Sequence, residues 1–338
     1  KLLPLANSPI KVYQFLAYPL AVLLNYEECM PWFYCNFIQL RCLPSKDKGI
    51  DEFDFLGSWW FDRPWGYIPW FTYQIINKKT FYKFQDKSRF IREQIDDGWY
   101  FYSSVDEYYI PYTKAYNTHH SIHDLLICGY DTNNDFIAYG YSGKQELHTF
   151  TVTSTDLTKS LGLFEPWSLN NDLTSFNSVL VFFKKKEDYR YIFDMEVGYK
   201  MLNEYLYSRD LVNRTHFIPK QGNDSNMFVY GMDYYKCLVN YFSLLIKDKA
   251  RFDIRPLHLL WEHKKCMLLR LEYIYKNNFI QREEKLYNLF LLMTLKYSIN
   301  SDKKILERII KSLEEIEYNE RNGINLLIKH IQKNNNYV

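Results

Sequence analysis

The stretch HHSIHDLLICGYD, residues 119–131, decides how the chain is read. From Leu125 to Cys128 it is a short apolar run. Gly129, Tyr130 and Asp131 close it with a turn signal, so it reads as a buried strand. Three histidines, His119, His120 and His123, stand at its entrance. An imidazole held by a strand is a candidate acid or base if a reacting group faces it. Further strands flank this one: WYFYSSV (99–105), DFIAYGYS (135–142), HTFTVTS (148–154) and VLVFFKK (179–185). The polar DTNND between two of them has hairpin length. SRFIREQIDDG (88–98) has helical spacing and a glycine stop.

After about residue 190 the period changes. FDMEVGYKMLNEYLYSRD, DYYKCLVNYFSLLIKD, RPLHLLWEHKKCMLLRLEYIYKNN, REEKLYNLFLLMTLKYS and DKKILERIIKSLEEIEYNE each place apolar residues on one helical face. The expected organisation is an α+β domain over 1–190 and a C-terminal helical bundle over 191–338.

Composition narrows the function classes. The chain has 338 residues, 47% hydrophobic and 24% charged, the balance of a folded globular protein. Basic and acidic residues number 42 and 40, which leaves no electrostatic footprint for nucleic acid. The run VYQFLAYPLAVLL is interrupted by Gln14, Tyr18 and Pro19 and is too short to span a bilayer, so no membrane role is expected. The 19% aromatic share has two open readings, a codon bias or a cleft lined for a flat ligand. WWFDRPWGYIPW holds four tryptophans in twelve residues, and core or binding wall serve it equally. The six cysteines form no C-x-x-C pair, and free thiols in a cytoplasmic protein are the simplest account.

One cysteine differs in its surroundings. In NYEECMPWFYCNFIQLRC (25–42), Pro31 suits the first turn of a helix over the residues after it. Cys29 then lies at a helix N-terminus, where unpaired N–H groups favour a thiolate. A cysteine nucleophile needs a base, and His123 at its strand entrance is a suitable one.

These two segments resemble a family. ECMP is similar to the DCGP that opens the central helix of papain-like peptidase domains, notably the bacteriocin-leader peptidases. HDLLICGYD resembles their H-x-V-V-x-x-G-Y-D strand. The order of cysteine helix and histidine strand also matches, over roughly residues 20–155. With a helical C-terminal half, the chain looks more like the butirosin-type acyltransferases. The resemblance implies a papain-like fold, a central helix against an antiparallel sheet. It also implies acyl transfer from a carrier-protein thioester, through Cys29, onto a small amine. The phosphopantetheine arm would belong to the acyl or peptidyl carrier protein, so the chain needs no cofactor or metal of its own.

The departures from that family are specific. The family's oxyanion glutamine falls at Leu23, so the hole would use the backbone N–H groups at Cys29 and Met30, or Asn25. The family's Asp after the histidine strand is absent, and Tyr141 or Ser142 stands there. Asp106, at the end of a neighbouring strand, is the expected orienting residue for His123; without it the site is a Cys–His dyad. A cysteine peptidase or thioester hydrolase would use the same pair. A non-catalytic binding protein would show the same losses. HLLWEHKK spaces His258 and His263 too far apart around a helix for a zinc site.

Overall fold

The structure is a computed structural model. It describes residues 1–55, 65–66, 68–141, 147–162, 178–209, 228–278, 285 and 303–335. Its elements run in chain order α1 (Gln14–Leu23), α2 (Met30–Cys35), β1 (Leu40–Ser45), β2 (Gly49–Phe55), β3 (Phe71–Asn77), α3 (Lys78–Phe81), α4 (Lys87–Asp96) and β4 (Tyr100–Asp106). They continue with β5 (Ile122–Tyr130), β6 (Phe136–Tyr141), β7 (Leu147–Val152), α5 (Ser154–Ser160) and β8 (Val179–Lys185). The last are α6 (Met195–Leu206), β9 (Val229–Tyr230), α7 (Tyr234–Ile246), α8 (Arg255–Lys276) and α9 (Lys303–Asn335). The fold is α+β with antiparallel sheets and a helical C-terminal region.

The chain divides into two compact units. The first comprises Lys1–Cys29 and Trp59–Arg190, the second Met30–Ser58 and Tyr191–Val338. Apart from Lys285, the expected helix over 282–298 lies outside the described residues, as do Ser142 and most of the tryptophan-rich stretch.

The first unit is a six-stranded antiparallel sheet, order β3-β8-β4-β5-β6-β7. The strands read from 99–105, 123–131, 135–142, 148–154 and 179–185 are β4 to β8 within a residue or two. Asp131 builds the β5–β6 turn: its Oδ1 accepts from the N–H of Asn133 and of Asp135, at 2.8 and 3.0 Å. Gly129 has a packing reason. A Cβ there would lie 2.5 Å from the Lys1 carbonyl oxygen, because the N-terminal segment bridges to β5 at Leu2.

The interrupted run at 12–24 is a helix. α1 is buried along its length from Leu16, and Pro19 lies inside it. Proline cannot donate to the Phe15 carbonyl one turn back. That carbonyl instead accepts Trp65 Nε1–H at 2.5 Å, so no buried acceptor is lost. Tyr18 of α1 meets the rings of Tyr102 and Tyr139, each 5.9 Å away, and packs the helix against the middle of the sheet. Behind β3, the buried Lys78 ammonium donates to the Ser104 carbonyl at 2.7 Å, and burial brings its pKa down to about 7.

The second unit is not purely helical. It carries a three-stranded antiparallel sheet, β2-β1-β9, whose first two strands come from before residue 58. The helix expected after Pro31 ends at Cys35, six residues long. The buried Arg270 guanidinium caps it, donating to the carbonyls of Tyr34 and Asn36 at 2.7 Å each. α9 packs on α6 and α7.

Candidate functional site

The His123 end of β5 gathers Asp106, Glu107, His120, His123 and Asp124. In the β4–β5 register Asp106 faces Ile122, Val105 faces His123 and Ser104 faces Asp124. His123 Nδ1 lies 2.8 Å from Asp124 Oδ1. Adjacent strand residues ordinarily point to opposite faces. His123 is the second residue of β5, and its half-exposed ring turns back onto its neighbour's carboxylate. The Asp124 N–H also lies 3.0 Å from Nδ1. That contact belongs to the deprotonated ring, and the carboxylate contact to the protonated one. The hydrogen bond and charge of Asp124, with the charge of Glu107, outweigh partial burial and push the His123 pKa up to about 9. The imidazole is therefore charged at neutral pH.

The Asp124 carboxylate is nearly buried and also lies 3.4 Å from Tyr102 Oη. Its backbone carbonyl accepts from Gln14 Nε2 at 2.9 Å and Tyr18 Oη at 3.3 Å. The first turn of α1 is thus bonded to the strand that carries the histidine. Burial and the Asp124 charge push the Tyr18 and Tyr102 hydroxyls well above the usual phenol range, so both remain donors. Glu107 hydrogen-bonds Ser121, and burial raises its pKa despite the nearby His123 and His119.

Asp106 takes a different histidine from the one expected. Its carboxylate is fully buried and lies 2.5 Å from His120 Nδ1. The other oxygen accepts from the N–H of Tyr108 and of Ser121, at 3.1 and 3.2 Å. The His120 ring stacks on Tyr108 with centroids 4.6 Å apart. Asp106 therefore orients His120 and not His123, whose carboxylate partner is Asp124. Neither the His120 pairing nor Asp124 was singled out from the sequence. The alternation rule that places Asp106 and Asp124 on one face was available in the sequence; the backward turn of a ring at a strand end was not.

Cys29 lies elsewhere. It closes a single 3-10 turn, Glu27–Cys29, whose Glu28 carboxylate pairs with Lys185 at 2.7 Å. Lys185 is two residues past the Phe183–Tyr100 pair, and His123 faces Val105 near the far end of β4. At about 3.4 Å per residue the two levels are roughly 20 Å apart along the strands. Cys29 and His123 are not brought together. The thiol is fully buried, and burial, with Glu28, pushes it up to about 12 against the pull of Lys185. A six-residue helix does not offset that burial. Cys128, the other cysteine of this unit, donates to the Ile137 carbonyl and is pushed up to about 12 by burial.

The remaining expected residues have backbone roles or lie in the other unit. Asn25 Nδ2 donates to the carbonyls of Pro4, Ala21 and Val22 at 3.2, 2.7 and 3.1 Å, closing the C-terminal end of α1. Tyr141 Oη donates to the Lys11 carbonyl in the segment leading into α1. Met30 opens α2 in the second unit. His263 is buried with Nε2 on the Ile38 carbonyl at 2.7 Å, away from any zinc-like arrangement. Among the described residues no group of three or more His, Cys, Asp and Glu is placed to hold a metal ion, and no helix is long and apolar enough to cross a membrane.

The arrangement offers two imidazole–carboxylate pairs three residues apart, a third carboxylate, and no thiol. It is equipped to move protons and to stabilise negative charge. No curated protein matches the chain. One family does: that described as butirosin biosynthesis protein H, N-terminal, matches residues 73–138. The matched segment runs from β3 through β6 and contains Asp106, His120, His123 and Asp124, but not Cys29.

Proposed function

We propose that the chain serves acyl transfer in the biosynthesis of an antibiotic-type natural product, and that the His123 end of β5 is where the acyl group is handled. The observation that carries this reading is the match to the butirosin biosynthesis family over the segment that holds both imidazole–carboxylate pairs. The papain-like interpretation has support in α1, a central helix laid on an antiparallel sheet with its first turn bonded to the histidine strand. In that arrangement the helix begins with Gln14 and not with a cysteine.

The donor is an acyl thioester on the phosphopantetheine arm of a carrier protein, and the acceptor a small amine. The amine nitrogen attacks the thioester carbonyl directly; the C–N bond forms, the C–S bond breaks, and no Cys29 thioester intervenes. Charged His123 gives its proton to the departing sulfur. This replaces the base role expected from sequence, because a ring that holds its proton to about pH 9 is a donor at neutral pH. A second reading, a carrier or acyl-group binding protein without turnover, is favoured by one observation: both thiols of this unit are buried and pushed up to about 12.

The test mixes the full chain with an acyl-loaded carrier protein, or a short acyl thioester, and a panel of amines. Amide and intact-protein mass are both followed. The expected result is amide without mass gain on the chain, unchanged in Cys29→Ala and reduced about 10²–10⁴-fold in His123→Ala. A mass gain that disappears in Cys29→Ala would restore the cysteine route. Carrier binding with no amide would establish the binding reading.

A further inference from the structure

We propose that His120, oriented by Asp106, is the catalytic base that removes the proton from the incoming amine; this rests on the acyl-transfer reading above. Asp106 is fully buried and its two oxygens are committed to His120 Nδ1 and to two backbone N–H groups. An ionised carboxylate only accepts, so the 2.5 Å contact places the imidazole proton on Nδ1. In the neutral ring the basic lone pair then lies on Nε2, on the opposite side of the ring. Nε2 makes no hydrogen bond among the described residues, and the side chain is 67% exposed. Tyr108 stacks on one face and fixes the ring plane. A buried carboxylate behind an outward imidazole stabilises the imidazolium that forms when Nε2 takes a proton.

The alternative is that the pair only pins the 107–121 loop. Pinning needs Nδ1 and the stacked ring; it does not need a bare Nε2. The proton balance is complete with the groups named. As the C–N bond forms, the amine proton passes to His120 Nε2. As the C–S bond breaks, the sulfur takes the His123 proton. The two solvent-reached imidazoles then exchange the difference with water.

The test separates the two roles through His120→Asn. The Asn amide nitrogen occupies the place of Nδ1 and keeps the bond to Asp106, while Nε2 is lost. Initial rates are measured for amide formation by the full chain from a short acyl thioester and an amine. The expected result is about a 10²–10³-fold loss in His120→Asn with an unchanged circular dichroism spectrum. Wild type active and His120→Asn at roughly half its rate or more would overturn the base assignment and leave the acyl-transfer reading standing. A wild type that forms no amide overturns both. Should His120→Asn not fold, imidazole ¹⁵N spectra of the wild type decide: a proton on Nδ1 and a bare Nε2 are required, and the reverse tautomer excludes the base.

Discussion

Replacing Glu320 by Leu is expected to destabilise the second unit by roughly 3–5 kcal/mol, because it strands a buried cation. Glu320 of α9 and Lys264 of α8 are both buried, and the Lys264 ammonium donates to Glu320 Oε1. The same carboxylate receives Tyr235 Oη at 2.6 Å and Tyr205 Oη at 3.3 Å. Lys264 also lies 3.0 Å from His263 Nδ1, and the Nε2–H of that ring goes to the Ile38 carbonyl. His263 is thereby neutral, and burial with the Lys264 charge holds its pKa well below the usual range. The ammonium also reaches Tyr205 Oη at 3.1 Å, but Glu320 is the charged acceptor of the cluster, shared by Lys264, Tyr205 and Tyr235. Without it, the ammonium must neutralise in place or draw in water. The double variant Lys264→Met, Glu320→Leu removes the charge as well and should recover much of the loss. The hydroxyls of Tyr205 and Tyr235 then remain unpaired, at about 1–3 kcal/mol each. Hydrogen exchange resolved on peptides of α7 and α9 is the measurement, since it reports this unit separately. Protection in Glu320→Leu within about 1 kcal/mol of wild type would show that the cluster is already hydrated and the argument from burial wrong.

What the sequence disclosed followed physical regularity. β4 to β8 are runs of β-branched and aromatic residues between turn signals, and the longer helices repeat their apolar residues at helical period. α1 was hidden because Pro19 breaks the pattern, and its lost hydrogen bond is replaced from Trp65, fifty residues away. No local signal carries that. The approach to β1 was hidden for a related reason: WFYCNFIQL reads as one helix, whose end at Cys35 is set by Arg270, from α8. The site was half legible. His123 was singled out because a histidine beside an apolar run is visible in one dimension. Its expected partner, Asp106, was chosen from the nearness of two strand ends, whereas alternation along β4 and β5 puts Asp106 and His123 on opposite faces. Cys29 was chosen from the proline two residues later. Proline marks a helix start equally well on a buried turn, and burial decides the thiol's reactivity.

The second large effect is the removal of the carboxylate that holds the His123 proton. In the wild type His123 should titrate at about 9, against an ordinary value of 6.5. Asp124→Asn replaces an ionised acceptor by a neutral one, and the titration midpoint should fall most of the way back. Glu107→Gln, which removes a charge acting at longer range, should lower it less. Imidazole proton or nitrogen shifts against pH measure all three. The sign for stability follows from linkage: a raised folded pKa stabilises fully below pH 6.5 and loses that contribution as pH rises through 9. His123 is half exposed, so solvent screens the pair and the stability change is small. The catalytic consequence is larger. If the charged ring protonates the departing sulfur, the wild-type rate falls as pH passes about 9, and the fall in Asp124→Asn moves to lower pH with the NMR midpoint. A wild-type midpoint near 6.5 would remove the charged donor from the mechanism, and an unmoved midpoint in Asp124→Asn would place its cause elsewhere. Coincidence of the NMR and rate midpoints in both proteins would tie the proton to the chemistry, because a ring that merely braces the end of β5 has no reason to set the pH at which an amide is made.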